Sequence, residues 1–289
     1  MSDDLLRVAV PNKGALSEGA SAMLTAAGYR QRSDGRDLVL VDAGAGVEFY
    51  YLRPRDIAIY VGEGTLDVGI TGRDMLLDSG APAREIMELG FGASTFRFAG
   101  PVGADLCLDA LDGKRVATSY PGLLSAYLAD HGIAARLITL DGAVESAIRL
   151  GVADVIADVV ETGTTLRRAG LELFGKPILH SQAVLVTRPD GRELREAADA
   201  VRQLKARIEG VIVARDYVLM DYDIEDALLP AAQAITPGLE GPTVSPLAKA
   251  GWSAVRALVP RANAQRLMDD LYAAGARAIL ITELSACRL

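Results

Sequence analysis

The chain has 289 residues, of which 50% are apolar, 24% charged and only 5% aromatic. This length predicts two or three domains, and the composition excludes a disordered chain and a disulfide-stapled miniprotein. The 30 basic and 38 acidic side chains leave a net charge of −8, which repels nucleic acid and anionic membranes, so that an anionic ligand needs local positive charge.

No uncharged run approaches the roughly 18 residues of a membrane-spanning helix. The N-terminus carries Asp3 and Asp4 where a signal peptide has basic residues, so we expect a cytoplasmic protein that crosses no membrane. The two cysteines form no C-x-x-C pair, and neither histidine has a cysteine or histidine at ligand spacing. A structural zinc site is therefore not expected.

Short β-branched runs alternate with helix-like stretches from Leu5 to about Val186. This alternation predicts an α/β fold, with a mostly parallel sheet and helices on both faces. The predicted strands, each with the helix that follows it, are Leu6–Val10 before Ser17–Ala27, Asp67–Ile70 before Asp74–Asp78, Arg115–Thr118 before Leu123–Asp130, and Ala135–Ile138 before Ala143–Leu150. A further strand at Ala183–Thr187 precedes a helix near Arg192–Glu209.

Two segments resemble one another. Gly64-Thr65-Leu66-Asp67-Val68 leads to Thr71-Gly72 and a helix, and Gly151-Val152-Ala153-Asp154-Val155 leads to Thr162-Gly163 and another helix. Short strings of this kind also match by chance. A true duplication predicts two similar lobes with a cleft between them, formed by residues 1–98 with 188–210 and by residues 99–187.

Residues 211–289 have a different pattern, which predicts a βαββαβ unit of the split ferredoxin-like type. Such a domain more often serves regulation or assembly than catalysis. The predicted elements are strand Val211–Met220, helix Ile224–Ala234, strands Val244–Leu247 and Trp252–Val259, helix Asn263–Ala274 and strand Arg277–Glu283.

The segment 151–170, GVADVIADVVETGTTLRRAG, holds most of the candidate chemistry. A Val- and Ile-rich strand ends at Glu161, and Thr162-Gly163-Thr164-Thr165 begins a helix. Free N–H groups at a helix start, hydroxyls around them and one glycine suit a phosphate. The alternative is an ordinary N-cap with spare threonines.

Carboxylates precede that loop. Asp154 and Asp158 share one face of an extended strand, and Glu161 follows them. Beside a phosphate site, such carboxylates suit the hydroxyls of a ribose or a Mg²⁺ ion. A solvated sheet edge would explain them equally simply.

Basic residues stand where strands pass into helices, at Lys13 and Arg73, and in the early helical turn at Arg167 and Arg168. A cation near the positive end of a helix dipole is unfavourable by about 0.3–1 kcal/mol. An anion bound between these residues would make their interaction energy at the helix start favourable. Each residue by itself could instead be a solvated surface charge.

Together these residues resemble a known family. The run from Gly151 to Leu166 closely resembles the signature of ATP phosphoribosyltransferase, the first enzyme of histidine biosynthesis. Further motifs are similar to the landmarks of the family: Pro11-Asn12-Lys13-Gly14, Leu52-Arg53-Pro54, Gly69-Ile70-Thr71-Gly72-Arg73-Asp74 and Ser119-Tyr120-Pro121. The likeness extends over essentially the whole chain, as in the long form, which carries its own regulatory domain.

The resemblance implies two lobes of the type II periplasmic-binding-protein topology. It implies that phosphoribosyl pyrophosphate and ATP, with Mg²⁺, react between the lobes to join adenine N1 to ribose C1 and to release pyrophosphate. Asp154, Asp158 and Lys13 are the catalytic residues implied, the two aspartates being also the metal ligands. The phosphoribosyl pyrophosphate site would comprise Asp154, Asp158, Glu161, Thr162, Gly163, Thr164 and Thr165, and the ATP side Lys13, Arg53, Arg73, Asp74 and Tyr120.

The resemblance also implies feedback inhibition by histidine through the C-terminal domain, and a homo-oligomer that changes between dimer and hexamer. The implied histidine contacts are Asp223, Leu239, Thr243 and Ala278.

Two alternatives remain open at this point. Two-lobed chains with similar strings also occur as cytoplasmic solute-binding or sensing proteins without chemistry. A phosphoribosyltransferase that acts on another base is the second alternative.

Overall fold

The computed structural model describes residues 5–189 and 195–288 of the chain. They divide into two compact units: residues up to 24 with 29–202 form the first, and residues 25–28 with 203–288 the second. In these described ranges no helix combines the length and the apolar character needed to span a bilayer.

The first sheet of the first unit has six strands: β1 (Leu6–Pro11), β2 (Val39–Asp42), β3 (Val47–Leu52), β4 (Val68–Gly72), β5 (Arg84–Glu88) and β11 (Ala183–Thr187). Their order is β2-β3-β1-β4-β11-β5. β1 pairs in parallel with β3 and β4, whereas β2, β11 and β5 run antiparallel to their neighbours. The helices of this lobe are α1 (Ala15–Ala26), α2 (Pro54–Gly62) and α3 (Arg73–Ser79).

The second sheet has five strands: β6 (Ser94–Pro101), β7 (Arg115–Thr118), β8 (Arg136–Thr139), β9 (Val155–Val160) and β10 (Leu171–Ser181). Their order is β10-β6-β9-β7-β8. Three helices belong to this lobe, α4 (Pro121–Asp130), α5 (Ser146–Arg149) and α6 (Thr164–Arg168), together with a 3₁₀ turn at Leu108–Leu111.

The two sheets share one topology. In each, the first of three parallel strands lies between the second and the third, and an antiparallel strand lies next to the third: β3-β1-β4-β11 and β8-β7-β9-β6. β6 and β11 are the strands by which the chain passes into the second lobe and back. This is the type II periplasmic-binding-protein arrangement, so the predicted α/β class and two-lobed core are confirmed.

Two details of the prediction are corrected. The sheets are mixed rather than mostly parallel, because the strands that connect the lobes enter them antiparallel. Ala183–Thr187, assigned from the sequence to the second lobe, pairs with β4 and β5 of the first sheet, and β6 belongs to the second sheet from Ser94 onward.

Strand β9 is covered on both faces, which explains its nearly continuous apolar sequence. Val155 and Ala157 pack in a core cluster with Leu124 of α4, and Ile156 packs in another with Ala147 and Leu166 of α5 and α6. This packing holds the carboxyl end of β9, and the loop that follows it, in one place.

The second unit is an antiparallel sheet of order β13-β14-β12-β15. Its elements are β12 (Tyr217–Glu225), α8 (Leu229–Ile235), β13 (Thr243–Pro246), β14 (Trp252–Pro260), α9 (Ala264–Ala273) and β15 (Arg277–Glu283). Val218, Met220, Tyr222 and Ile224 of β12 alternate toward the core that the two helices share. The predicted ferredoxin-like βαββαβ unit is confirmed.

The helix α7 (Arg195–Asp216) leads into this unit. The prediction of a strand from Val211 is wrong, since Leu204, Ile208 and Val211 are buried at helical spacing and the helix continues to Asp216. The predicted start of this helix at Arg192 lies outside the described residues.

Candidate active site

The loop between β9 and α6 forms one wall of a recess of about 330 Å³. Gly163 takes the left-handed conformation there, with φ of 67° at the N-cap position of α6, which only glycine adopts without strain. The recess brings together five residues of the predicted phosphoribosyl pyrophosphate site: Asp158, Glu161, Thr162, Gly163 and Thr165. Glu145, which the sequence analysis missed because nothing near it marks a site, also lines it.

Thr164 differs from its neighbours. Its hydroxyl lies 3.1 Å from that of Thr162 and accepts a hydrogen bond of 3.3 Å from Nη2 of Arg167. Thr164 does not line the recess, so its side chain is engaged within the loop itself.

Asp158 carries a perturbed carboxyl group near the carboxyl end of β9. Burial, and then the negative charges of Glu145 and Asp74, raise its pKa to about 6, although the N–H group of Val159 opposes the shift. A carboxylate surrounded by other carboxylates favours the arrival of positive charge.

A second recess of about 260 Å³ has walls from both lobes. Lys13 and Asp74 come from the first lobe, and Tyr120 and Glu161 from the second. Glu161 lines both recesses, so the two adjoin at this residue. Three of the five residues predicted for the ATP side, Lys13, Asp74 and Tyr120, therefore lie together.

Asp74 and Tyr120 interact inside this recess. Asp74 is buried and bonds Ser181 twice: its N–H group donates to Oγ at 3.0 Å, and Oγ donates to Oδ1 at 2.8 Å. Burial and then the charges of Asp74 and Asp158 raise the pKa of Tyr120 well above its usual value, so its hydroxyl is a protonated donor at neutral pH. Ser181 is 107 residues from Asp74, and no local signal could have linked them.

Arg73 and Arg53 are not brought to the two recesses. The Arg73 guanidinium pairs with Glu85 and Glu88, with N–O distances of 2.5 Å to each. Hydrogen bonds to these carboxylates engage Nε and Nη2 of Arg73 and raise its pKa. Arg53 is exposed at the N-cap position of α2.

Asp154 also lies elsewhere. It stands at the amino end of β9, and its carboxylate accepts from the backbone N–H of Arg115 at 2.9 Å and from the Arg115 guanidinium at 2.7 and 3.2 Å. These bonds lower the pKa of Asp154 to about 2. Four residues of extended strand cover roughly 13 Å, so Asp154 and Asp158 share a strand but not a site.

In the parts of the chain that the structure describes, no three His, Cys, Asp or Glu side chains are grouped to hold a metal ion. Mg²⁺ at phosphate sites is usually held by one or two carboxylates and by oxygens of the substrate and of water. The first recess offers Glu145, Asp158 and Glu161. One or two of these carboxylates are compatible with a magnesium ion that arrives with the phosphates of a substrate. Of the two aspartates implied as metal ligands, Asp158 lines this recess and Asp154 does not, and the metal itself stays a prediction.

The four residues implied for histidine binding lie in the second unit. Asp223 pairs with Arg277 across β12 and β15, beside Ala278, whose φ of 51° marks an irregularity in that pairing. Thr243 pairs with Arg256 across β13 and β14, toward the opposite edge of the sheet. Leu239 is exposed in the loop before β13. Their role stays a prediction.

Comparison with known proteins identifies the family. The HisG family model, described as ATP phosphoribosyltransferase, matches residues 53–210, and the model for the HisG C-terminal domain matches residues 214–286. The chain belongs to the ATP phosphoribosyltransferase family. It is therefore an enzyme, a transferase of histidine biosynthesis, and the resemblance noted in the sequence is confirmed.

Curated relatives agree over the full length. The ATP phosphoribosyltransferase of Pseudarthrobacter chlorophenolicus is 62% identical over 99% of this chain and 100% of its own length. That of Streptomyces coelicolor is 60% identical with the same coverage. A solved structure, the ATP phosphoribosyl transferase (HisG:HisZ) complex from Thermotoga maritima, is 29% identical with a TM-score of 0.60 and covers 71% of this chain and 99% of its own. Our chain is thus a longer form than the solved relative.

Proposed function

We propose that this enzyme transfers the 5-phosphoribosyl group of phosphoribosyl pyrophosphate to N1 of ATP. A bond forms between N1 and ribose C1, the bond from C1 to the pyrophosphate oxygen breaks, and pyrophosphate leaves with the bonding electrons. The observation that supports this reaction most directly is the pair of adjoining recesses that share Glu161.

Phosphoribosyl pyrophosphate belongs, in this proposal, to the first recess. The hydroxyls of Thr162 and Thr165 and the backbone at Gly163 provide donors for the 5′-phosphate, and Gly163 lets that phosphate approach the chain closely. Asp158 and Glu161 then face the ribose. A bound magnesium ion would neutralise the pyrophosphate and improve it as a leaving group.

ATP belongs to the second recess. Lys13 provides the cation for its phosphates, in a molecule whose overall charge repels them. The hydroxyl oxygen of Tyr120 and the carboxylate of Asp74 provide acceptors for the amino group at the adenine edge. Because the recesses adjoin, the two reacting atoms can be held in line, and such positioning is a large part of the catalysis available to a weak nucleophile.

Asp158 has the position to stabilise the positive charge that develops at C1 as the pyrophosphate leaves. Its partly buried carboxylate is destabilised in the free enzyme, so developing positive charge on the substrate is favoured beside it. No nucleophile of the protein is needed.

The C-terminal unit supports a regulatory role. We propose that histidine binds there and inhibits, and that the enzyme is a homo-oligomer, between dimer and hexamer, acting in the cytoplasm. The support is the C-terminal family domain at residues 214–286, which follows the catalytic family domain in the same chain.

The test is pyrophosphate release from purified enzyme given phosphoribosyl pyrophosphate and Mg²⁺. We expect release with ATP, none without a nucleotide, little with GTP, and less with ATP when histidine is added. Release that proceeds equally with another base would assign a different acceptor, and binding without release would indicate a sensor.

A further inference from the structure

Helix α4 begins in an unusual way. Tyr120 occupies its N-cap position, where Ser, Thr, Asp or Asn is preferred, and makes no capping hydrogen bond with its side chain. The first N–H groups of a helix have no partner within the helix. In α4, those of Gly122 and Leu123 both donate to Oδ1 of Asp78, at 2.9 and 3.1 Å. Asp78 belongs to α3 of the first lobe, so the cap comes from the opposite lobe.

Arg55, in α2, completes this connection. Its Nη1 lies 2.5 Å from Oδ2 of Asp78, whose side chain is only 4% exposed. Its Nη2 donates to the carbonyl oxygen of Ser119 at 2.6 Å. The guanidinium carbon lies 5.1 Å from the centre of the Tyr120 ring, within the range of a cation–π interaction. Charge-assisted bonds therefore hold the chain on both sides of Tyr120.

Gly122 shows how closely the two helices approach. A Cβ at this residue would lie 2.2 Å from the backbone oxygen of Asp78, which is too short for a non-bonded carbon and oxygen. Glycine is otherwise one of the least favourable residues inside a helix. The contact between α3 and α4 explains why it stands there.

We propose that Asp78 and Arg55 are positioning residues for the reaction, which fix Tyr120 at the wall of the second recess by holding residues 119–123 against the first lobe. The cap from Asp78 leaves the N-cap position free for a tyrosine, whose hydroxyl interacts with Asp74. This inference rests on the proposed function, in which that recess takes ATP.

Asp78→Asn tests the inference, because asparagine keeps the size of the side chain and removes the charge that faces both Arg55 and the positive end of α4. We expect the KM for ATP to rise about tenfold, which corresponds to the loss of about one charge-assisted hydrogen bond. The KM for phosphoribosyl pyrophosphate should change by less than about twofold. An unchanged KM for ATP would overturn the inference.

Asp67→Asn is the matched control. Asp67 also accepts a backbone N–H bond, from Arg7 at 2.8 Å, and also pairs with an arginine, Arg188 at 3.2 Å. It does not line the second recess. We expect a comparable fall in Tm and no change in either KM. A KM for ATP raised equally by both variants would show a general structural effect and would contradict a positioning role.

A double-mutant cycle separates action through Tyr120 from simple destabilisation. In a Tyr120→Ala background, we expect Asp78→Asn to cause no further rise in the KM for ATP, whereas additive effects would refute the proposal. Should Asp78→Asn fail to fold, Arg55→Lys carries the same test, because Arg55 bonds both Asp78 and the carbonyl of Ser119. If the wild-type enzyme releases no pyrophosphate, both the proposed function and this inference are overturned. If the wild type is active and Asp78→Asn has the same KM for ATP, only the inference is overturned.

Discussion

Asp154 and Asp67 make the same contacts with the backbone of an arginine in the two lobes. The carboxylate of Asp67 accepts the N–H of Arg7 at 2.8 Å, and that of Asp154 accepts the N–H of Arg115 at 2.9 Å. The N–H group of each aspartate donates in return to the carbonyl of the same arginine. Both precede the third parallel strand of their sheet, so the quasi-repeat in the sequence corresponds to a repeated junction in the structure.

This equivalence predicts a structural role for Asp154. We expect Asp154→Asn to lower the free energy of unfolding by about 1 kcal/mol, a value reduced by the solvent exposure of the pair, and to leave kcat within about threefold of the wild type. Urea titration and initial rates measure both quantities. A large loss of kcat in a stable variant would instead return Asp154 to the chemistry.

For Asp158 we expect the opposite effects of substitution on stability and on kcat. Its pKa is raised to about 6 by burial, so the ionised form opposes folding, and stability falls as the pH rises from the unfolded value near 4 through 6. Asp158→Asn is expected to gain about 1–3 kcal/mol at pH 7.5 and to lose on the order of 10²–10³ in kcat. Calorimetric unfolding at pH 4.5 and 7.5 supplies an internal check, because the gain should be much smaller at the lower pH, where the folded carboxyl group is already protonated. Wild-type turnover in the variant would remove Asp158 from the mechanism.

The phosphate loop offers a matched pair of threonines. Thr165 lines the first recess, whereas the hydroxyl of Thr164 is bonded within the loop. We expect Thr165→Val to weaken binding of phosphoribosyl pyrophosphate about tenfold and Thr164→Val to weaken it by less than about threefold, since only the first removes a donor to the ligand. Titration calorimetry with each substrate measures this, and equal losses for ATP would contradict the assignment of the recess. Thr162 also lines the recess, but its hydroxyl is bonded to that of Thr164, so we expect an intermediate loss for Thr162→Val.

Lys13 and Arg73 were assigned alike from the sequence, and the structure distinguishes them. Lys13 lines the second recess, whereas Arg73 is paired with Glu85 and Glu88. We expect Lys13→Met to raise the KM for ATP at least about tenfold, with little change in Tm. Arg73→Met should lower Tm, because it leaves two carboxylates unpaired, and should leave that KM nearly unchanged. The reverse pattern would place the ATP phosphates at Arg73.

Much of the fold could be read from local pattern. The strands at Leu6, Arg115 and Ala183 follow from their β-branched runs, and the alternation of these runs with helix-like stretches gave the α/β class. The sequence did not reveal that β6 and β11 connect the lobes as antiparallel strands, because pairing direction depends on the path of the whole chain. It also missed the continuation of α7 to Asp216, since a short apolar run suits either a strand or a buried helix.

The sequence by itself determined the family and the loop from Asp158 to Thr165, because these residues are contiguous and the backbone places neighbours together. Only the tertiary structure decided which of these charged groups line a recess and which are paired within the protein. Lys13 faces a recess while Arg73 is neutralised by Glu85, and Asp154 is held by Arg115 while Asp158 is left among like charges. The physical reason is that a charged side chain that is already paired with an opposite charge in the folded protein is not available to a substrate. Such pairing partners lie far away in the sequence.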